Sequence, residues 1–269
     1  MAVGKSVMDP AAGRDCADGW SYFLLGSLRV EFARTRWLSL GPPQERAMLI
    51  ALLLDANRVV TVDQLVEGLW DDEPPTSARA RVQDLISRLR RKMCEVSERI
   101  ASPIQTVGAG YRIVVGAGQL DLDRARNQIG SARVLLTGGQ PLSGVRLMRA
   151  TLQDWEGTVQ PELTAPIVRR ADTWLSELRL AAMEDCIDAE LSLSQHQRLV
   201  PELVDLVQRH PLREKLRAAL MIALAKSGRV ADALLVYNDW RHLLVTELGV
   251  EPTPRMRELH TSILDWQER

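Results

Sequence analysis

Residues 76–96, TSARARVQDLISRLRRKMCEV, decide the fold of this chain. Read as a helix, the stretch places its apolar residues at helical spacing, so that they form one stripe that can pack on a core. These residues are Ala78, Val82, Leu85, Ile86, Leu89 and Met93. The other face is basic, with six cations against one acid, Asp84, between residues 76 and 93. Such a helix is typical of one that enters the major groove of DNA, although most charged helix faces are simply solvated.

The composition is that of a water-soluble protein whose basic charge is local. A chain of 269 residues is long enough for two domains, and its net charge is only −1. The three cysteines, Cys16, Cys94 and Cys186, are far apart and in no metal-ligand spacing, which indicates free thiols in a reducing compartment. No apolar run is long enough to span a membrane and no signal peptide is evident, so we expect a cytoplasmic, nucleoid-associated protein.

The chain before the basic helix predicts a small sheet followed by two helices. Residues 1–19 are expected to be a loose tail, and residues 22–25, 28–32 and 36–40 to be three antiparallel strands. Residues 44–55 are almost wholly apolar from residue 47 to residue 54, which predicts a buried helix. A second helix should run to Trp70. It should start at a capping box, in which Thr61 and Gln64 satisfy each other's backbone N–H groups. Thr76 is the expected cap of the basic helix.

A β-hairpin is predicted after the basic helix. Residues 104–107 and 111–115 are strand-like and flank Gly108-Ala109-Gly110, which supplies a tight turn. The order of sheet, three helices and hairpin predicts a winged helix-turn-helix over residues 20–116. In that fold the third helix reads the DNA groove and the hairpin, called the wing, lies along the backbone.

Residues 117–269 are predicted to form an all-helical domain. The expected helices cover residues 121–136, 142–155, 164–193, 198–209, 213–226, 231–248 and 254–267. Two stretches, residues 187–207 and 220–240, repeat at an offset of 33 residues, a period typical of tetratricopeptide-type helix pairs. The fold class is therefore multidomain, an α+β winged helix followed by a tetratricopeptide-like domain.

With both halves in place, the chain resembles the Streptomyces antibiotic regulatory protein family of transcriptional activators. The resemblance rests on LLGSLRV (24–30), ALLLDANRVVTVDQLVEGLWDDEPP (51–75), ARARVQDLISRLRRKM (78–93), and HPLREKLRAALMIALAKSGRVADALLVYNDWRHLLVTELGVEPTP (210–254). It implies a response-regulator type winged helix joined to a bacterial transcriptional activation domain. It also implies binding as a dimer or paired protomers to direct repeats in promoters of an antibiotic biosynthesis cluster, and recruitment of RNA polymerase holoenzyme.

The residues of the basic helix suggest how DNA would be read. Arg81 and Arg88 lie opposite the apolar stripe, and we expect them at base edges, because a two-bond arginine contact to guanine is the commonest specific contact. Asp84 lies among them and can accept from cytosine. Residues expected at phosphates are Arg79, Ser87, Arg90, Arg91 and the wing residue Arg112. The alternative for Arg81 and Arg88 is contact with phosphates alone.

The resemblance places a polymerase-facing loop at residues 70–75. Its acids Asp71, Asp72 and Glu73 can pair with a basic surface on polymerase, and the alternative is a solvated turn. Trp70 is expected in the core.

We expect no catalytic residue, cofactor or metal, because the four histidines show no metal-type pairing and no serine or cysteine has a recognisable catalytic partner. The main alternative function is a tetratricopeptide-like protein-interaction scaffold without sequence-specific DNA binding. A repressor is a further possibility that the sequence does not separate from an activator.

Overall fold

A computed structural model of the chain describes residues 19–98, 101–155 and 163–265, and these divide into two compact units. The first unit holds the described residues up to Asn127 together with Gln153–Leu178. The second holds Gln128–Leu152 and the described residues from Arg179 onward. The predicted tail, apart from Gly19, and Cys16 lie outside the described residues.

The first unit begins with an antiparallel sheet in the order β1-β2-β3. Its strands are β1 (Trp20–Phe23), β2 (Arg29–Phe32) and β3 (Arg36–Trp37). The first strand lies two residues earlier than the predicted residues 22–25, and the second agrees with residues 28–32 to within one residue. The third is shorter than residues 36–40, because beyond Trp37 only the N–H of Leu38 continues the pairing, to Val30 O at 2.9 Å. Trp20 is buried against Phe32, with ring centroids 5.0 Å apart.

Three helices follow: α1 (Pro43–Leu54), α2 (Val62–Trp70) and α3 (Ala78–Val96). The predicted capping box at the start of α2 is confirmed, since Thr61 and Gln64 bond each other's backbone N–H groups. The predicted cap of α3 is wrong: Ser77 is the N-cap residue and contributes no side-chain bond. The start is fixed instead by backbone bonds, from Ala78 N to Pro75 O and from Arg81 N to Ser77 O.

A second sheet completes the winged helix, in the order β4-β6-β5. The predicted hairpin is present as β5 (Ile104–Val107) and β6 (Gly110–Ile113), joined at Gly108 and Ala109. The sequence did not indicate β4 (Val60–Thr61), which pairs with β6 just before α2. Glycine is required at residue 110, because a Cβ there would lie 2.4 Å from the carbonyl oxygen of Val60.

The chain beyond the hairpin is bonded back to the first sheet. Tyr22 N donates to Gln119 O at 2.7 Å, and the Asp121 carboxylate accepts from Leu24 N and Leu25 N at 2.8 and 3.0 Å. Burial raises the pKa of the Asp121 carboxyl above its ordinary value, although these backbone N–H groups act in the opposite direction. Asp121 therefore joins the end of β1 to the start of the helical half.

Seven helices were predicted after residue 117, and all seven are present among the described residues. They are α4 (Asp121–Thr137), α5 (Pro141–Gln153), α6 (Pro166–Ser192), α7 (His196–Arg209), α8 (Glu214–Lys226), α9 (Val230–Leu248) and α10 (Pro254–Asp265). Helices α7, α8 and α9 pack in succession, as in tetratricopeptide-like domains, around a core that includes Leu203, Leu220, Tyr237 and Trp240. Helices α4 and α6 are each divided between the units: the first part of each helix belongs to the first unit and the remainder to the second.

A buried ionic cluster holds three helices of the second unit together. Arg149 of α5 donates to both oxygens of Glu202 of α7, at 2.6 and 2.8 Å, and also to both oxygens of Glu190 of α6. Glu190 is only 2% exposed. Burial lowers the pKa of Arg149, but the hydrogen bonds to Glu202 and Glu190 outweigh it and raise the pKa overall. The neighbouring Cys186 thiol has its pKa raised to about 12, mainly by burial.

Candidate DNA-binding interface

The two faces of α3 are those that the sequence predicted. All six residues of the apolar stripe are buried: Ala78, Val82, Leu85, Ile86, Leu89 and Met93. Each fully buried aliphatic side chain contributes about 1.5–3 kcal/mol of stability, which anchors the helix on its inner side. The opposite face is exposed and brings together Arg81, Asp84, Ser87, Arg88 and Arg91.

Two ionic contacts fix the end of α3 in the winged helix. Lys92 pairs with Glu45 of α1, a carboxylate that is 2% exposed. Arg36 of β3 donates to Val96 O at 3.2 Å and to the Glu98 carboxylate at 2.6 Å. The orientation of the exposed face is therefore set by contacts from α1 and from the first sheet. The partners lie 47 or more residues away in sequence, and no local pattern signalled them.

The exposed face carries both paired and unpaired charges. Arg88 pairs with Asp84 one turn earlier at 2.8 Å, and Arg79 pairs with Asp63 of α2 at 2.5 Å. Within the described residues, the guanidinium groups of Arg81 and Arg91 have no hydrogen-bond or ion-pair partner. The Ser87 hydroxyl donates to Gln83 O at 2.8 Å and keeps its lone pairs for a further donor.

The hairpin places Arg112 beside Gln105. These residues are opposite each other on β6 and β5, and Arg112 Nη2 donates to Gln105 Oε1 at 2.7 Å. Arg112 Nε is buried and has no partner among the described residues. The guanidinium is thus half-buried with donor capacity left over.

Arg90, expected at a phosphate, lies against the hairpin. Its Nε donates to Ile104 O at 3.0 Å and its Nη2 to Thr106 Oγ1 at 2.8 Å. The guanidinium carbon lies 5.5 Å from the centroid of the Tyr111 ring, within the range of a cation–π contact. No sequence pattern indicated these contacts, because charge and periodicity do not say which flank of a helix meets a hairpin.

The acidic loop after α2 is exposed, as predicted, at Asp71, Asp72 and Glu73. Asp71 has a positive φ of 57°, and its N–H donates to Glu67 O at 2.9 Å. Its carboxylate lies 3.8 Å from Arg170 Nη1 in the first half of α6. The expectation that Trp70 lies in the core was wrong. Its side chain is only partly buried and lines a cleft with residues of α1 and of the start of α6, because α2 ends there and the chain turns outward.

The described part of the chain contains neither a metal-ligand cluster nor a membrane-spanning helix. No three histidine, cysteine, aspartate or glutamate residues there are grouped so as to hold a metal ion. None of the described helices combines the length and the apolar character that a membrane crossing requires.

A winged helix with an arginine-bearing third helix, followed by a tetratricopeptide-like helical domain, defines the class of DNA-binding transcription regulators. The comparisons with known proteins agree with this class. Residues 39–113 match the family described as "Transcriptional regulatory protein, C terminal", and residues 120–264 match "Bacterial transcriptional activator domain".

Similar proteins were found in actinobacteria. Regulatory protein AfsR of Streptomyces griseus is 36% identical over 92% of this chain, and this chain spans only 25% of that protein's length. AfsR of Streptomyces coelicolor is 39% identical over 84% of this chain, and the match covers 22% of that protein's length. Regulatory protein DnrI of Streptomyces peucetius is 33% identical over 81% of this chain and 83% of its own length.

A solved structure is also similar. Mycobacterium tuberculosis EmbR, in complex with a low affinity phosphopeptide, has a TM-score of 0.85 and 29% identity, over 92% of this chain and 65% of EmbR. With both halves matched, the chain belongs to the Streptomyces antibiotic regulatory protein family of transcriptional activators.

Proposed function

We propose that this chain activates transcription by binding direct repeats in promoters of an antibiotic biosynthesis cluster and recruiting RNA polymerase holoenzyme. Two protomers, bound side by side on the repeats, would each insert α3 into a major groove. The observation that carries the proposal is the exposed face of α3, with arginines aligned outward from a helix whose inner face is fully buried. Membership of a family of transcriptional activators supports the step from binding to activation.

Base reading is assigned to Arg81, Asp84 and Arg88. The ion pair at 2.8 Å supports a joint role for the last two, because it limits the rotamers of Arg88 before DNA arrives. An arginine held by a neighbouring acid can then present two N–H groups to the O6 and N7 of guanine. Asp84 is positioned to accept from the N4 amino group of cytosine.

Phosphate contacts are assigned to Arg79, Ser87, Arg91 and Arg112. Arg91 is exposed with no partner among the described residues. The half-buried Arg112 is bonded to Gln105 through Nη2, which leaves the Nη1 donors for a phosphate. Contacts of this kind set register and provide the salt-dependent part of the affinity, without reading sequence.

Polymerase recruitment is assigned to the loop of Asp71, Asp72 and Glu73. Its three acids are exposed on the winged helix and are not part of α3, which leaves them accessible when α3 is in the groove. Complementary charge across an interface chiefly raises the association rate and the specificity. A basic surface on polymerase is therefore the expected partner.

DNA binding is tested by mapping genome-wide occupancy of the tagged chain in its host, alongside the Arg81→Ala/Arg88→Ala variant. We expect sharp peaks over directly repeated promoter sequences, and we expect the variant to lose them. An expressing culture without wild-type peaks would instead favour a protein-interaction scaffold.

Activation is tested separately by transcription in vitro from the promoter with the strongest peak. The Asp72→Lys/Glu73→Lys variant leaves the contact between Asp71 and Arg170 in place, and it should bind DNA normally while failing to activate. Glu67→Lys, an exposed acid on α2 outside the loop, is the matched control and should activate normally. A wild-type chain that lowers transcription would identify a repressor.

A further inference from the structure

We propose that Arg90 is a positioning residue that fastens the hairpin to α3, so that wing and recognition helix meet DNA as one rigid body. The inference rests on the proposed DNA binding and revises the expectation that Arg90 contacts phosphate. It follows from the two hydrogen bonds and the ring contact that the guanidinium makes with both strands of the hairpin.

The contacts of Arg90 reach three separate points of the hairpin. On β5 it bonds the carbonyl oxygen of Ile104 and the hydroxyl of Thr106, and on β6 it lies over the ring of Tyr111. Thr106 and Tyr111 are direct cross-strand partners, so the guanidinium touches the hairpin where its strands are paired. The planar guanidinium, with its donors in a fixed fork, can make the two bonds and the ring contact at once.

The neighbours of Arg90 are placed differently. Arg91 and Arg88 are exposed on the outer face of α3, whereas Arg90 is partly buried on the flank that faces the hairpin. Arg90 has already committed two of its five N–H donors, at Nε and Nη2, to the hairpin, so turning the guanidinium outward to a phosphate would break these bonds. Arg91 would lose nothing, and it is the better phosphate ligand of the two.

A rigid link between helix and wing has a consequence for recognition. A wing that moves freely must be ordered on binding, which costs conformational entropy and weakens the complex. A wing fixed to α3 binds without that cost, and its distance from the bases read by Arg81 and Arg88 is constant. Loss of the link should therefore reduce wing contacts more than groove contacts.

Lysine and valine substitutions separate this role from a phosphate contact. Arg90→Lys retains the charge but loses the fork, and Thr106→Val removes an acceptor while leaving Arg90 intact. If Arg90 fastens the wing, each variant should lose about tenfold in affinity, and the double variant should be little worse than either single one. Arg34→Lys, which makes the same exchange at an exposed position between β2 and β3, is the matched control and should stay within about twofold of wild type.

The probe is the duplex that the full-length wild-type chain enriches most from a random-sequence pool, and the readouts are affinity against salt and hydroxyl-radical footprints. We expect Arg90→Lys and Thr106→Val to lose backbone protection by the hairpin and, with the Arg112 contact, about one unit of the salt slope, while protection by α3 remains. If Arg90→Lys and Thr106→Val both bind and footprint as wild type, the proposal is overturned.

Hydrogen exchange of the free chain gives a test that does not depend on DNA. Amides of β5 and β6 should exchange faster in Arg90→Lys and Thr106→Val than in wild type, and at the wild-type rate in Arg34→Lys. Unchanged exchange in the first two variants would refute the link, even if DNA binding is as proposed. Failure of the wild-type chain to enrich any duplex, with faster exchange in both variants, would overturn the proposed function and leave the link standing.

Discussion

Arginine has opposite roles in the two units of this molecule. On α3 of the first unit, Arg81, Arg88 and Arg91 are exposed, and their charge is available to a partner. On α5 of the second unit, Arg149 is enclosed by two glutamates from two other helices. The comparison indicates that the role of an arginine depends on its burial and its carboxylate partners, and not on the local density of charge.

The largest effect should come from removing the enclosed arginine. Arg149→Met leaves the buried Glu190 without its cationic partner, and breaking a buried ion pair in this way costs about 3–5 kcal/mol of the free energy of unfolding. Urea denaturation followed by circular dichroism measures the loss. Arg146→Met, an exposed arginine on the same helix, is the control and should change stability by less than about 0.5 kcal/mol.

A triple variant sharpens the cause of that loss. Arg149→Met combined with Glu190→Leu and Glu202→Leu replaces the whole cluster by apolar groups, which is often neutral or stabilising. Most of the stability should therefore return. A triple variant as unstable as Arg149→Met alone would point to poor packing rather than to an unpaired charge.

The exposed arginine should behave in the opposite manner. Arg88→Ala should leave the unfolding free energy nearly unchanged and cost about 1–3 kcal/mol in binding to the preferred duplex, with relaxed preference at one base pair. Isothermal titration with the preferred duplex and with single-base variants of it measures both quantities. Equal weakening on preferred and random DNA would mean that Arg88 contacts phosphate only.

The half-buried Arg112 should give a smaller and less specific effect. Arg112→Ala should weaken binding to every duplex and lower the slope of log affinity against log salt by about one unit, because one phosphate contact is lost. Binding measured over a series of salt concentrations tests this. An altered base preference would contradict the assignment.

The smallest effect concerns the reactivity of two cysteine thiols, Cys186 and Cys94. Cys186 lies against the enclosed arginine and is buried, and its thiol pKa of about 12 keeps it protonated near pH 8, whereas Cys94 is only partly buried. Brief treatment with iodoacetamide at that pH, followed by peptide mass spectrometry, should find Cys94 modified and Cys186 unmodified. Modification of Cys186 in the folded chain at the rate of Cys94 would show that the cluster opens.

The parts of this structure that the sequence predicted depend on neighbours along the chain. Helical spacing identified the six buried residues of α3, and the capping box identified the start of α2, because both involve residues within a few turns of each other. Strand β4 has only two residues, too few for an alternating pattern, and it was not predicted.

The long-range contacts could not be predicted in this way. Arg90 meets Thr106 across 16 residues, and Arg149 meets Glu202 across 53, so that nothing local distinguishes these arginines from exposed ones. The candidate interface was therefore predictable as a helix face, but the internal partners that order its side chains were not.

Asp121 limits where this chain can be divided and recombined with another. Its carboxylate accepts the N–H groups of Leu24 and Leu25, so a junction placed at Gly116 would separate the end of β1 from its acceptor. A hybrid made there would leave two backbone donors dependent on whichever residue the other parent supplies. The segment of this chain that could be transferred intact therefore extends beyond the wing and includes the first turn of α4.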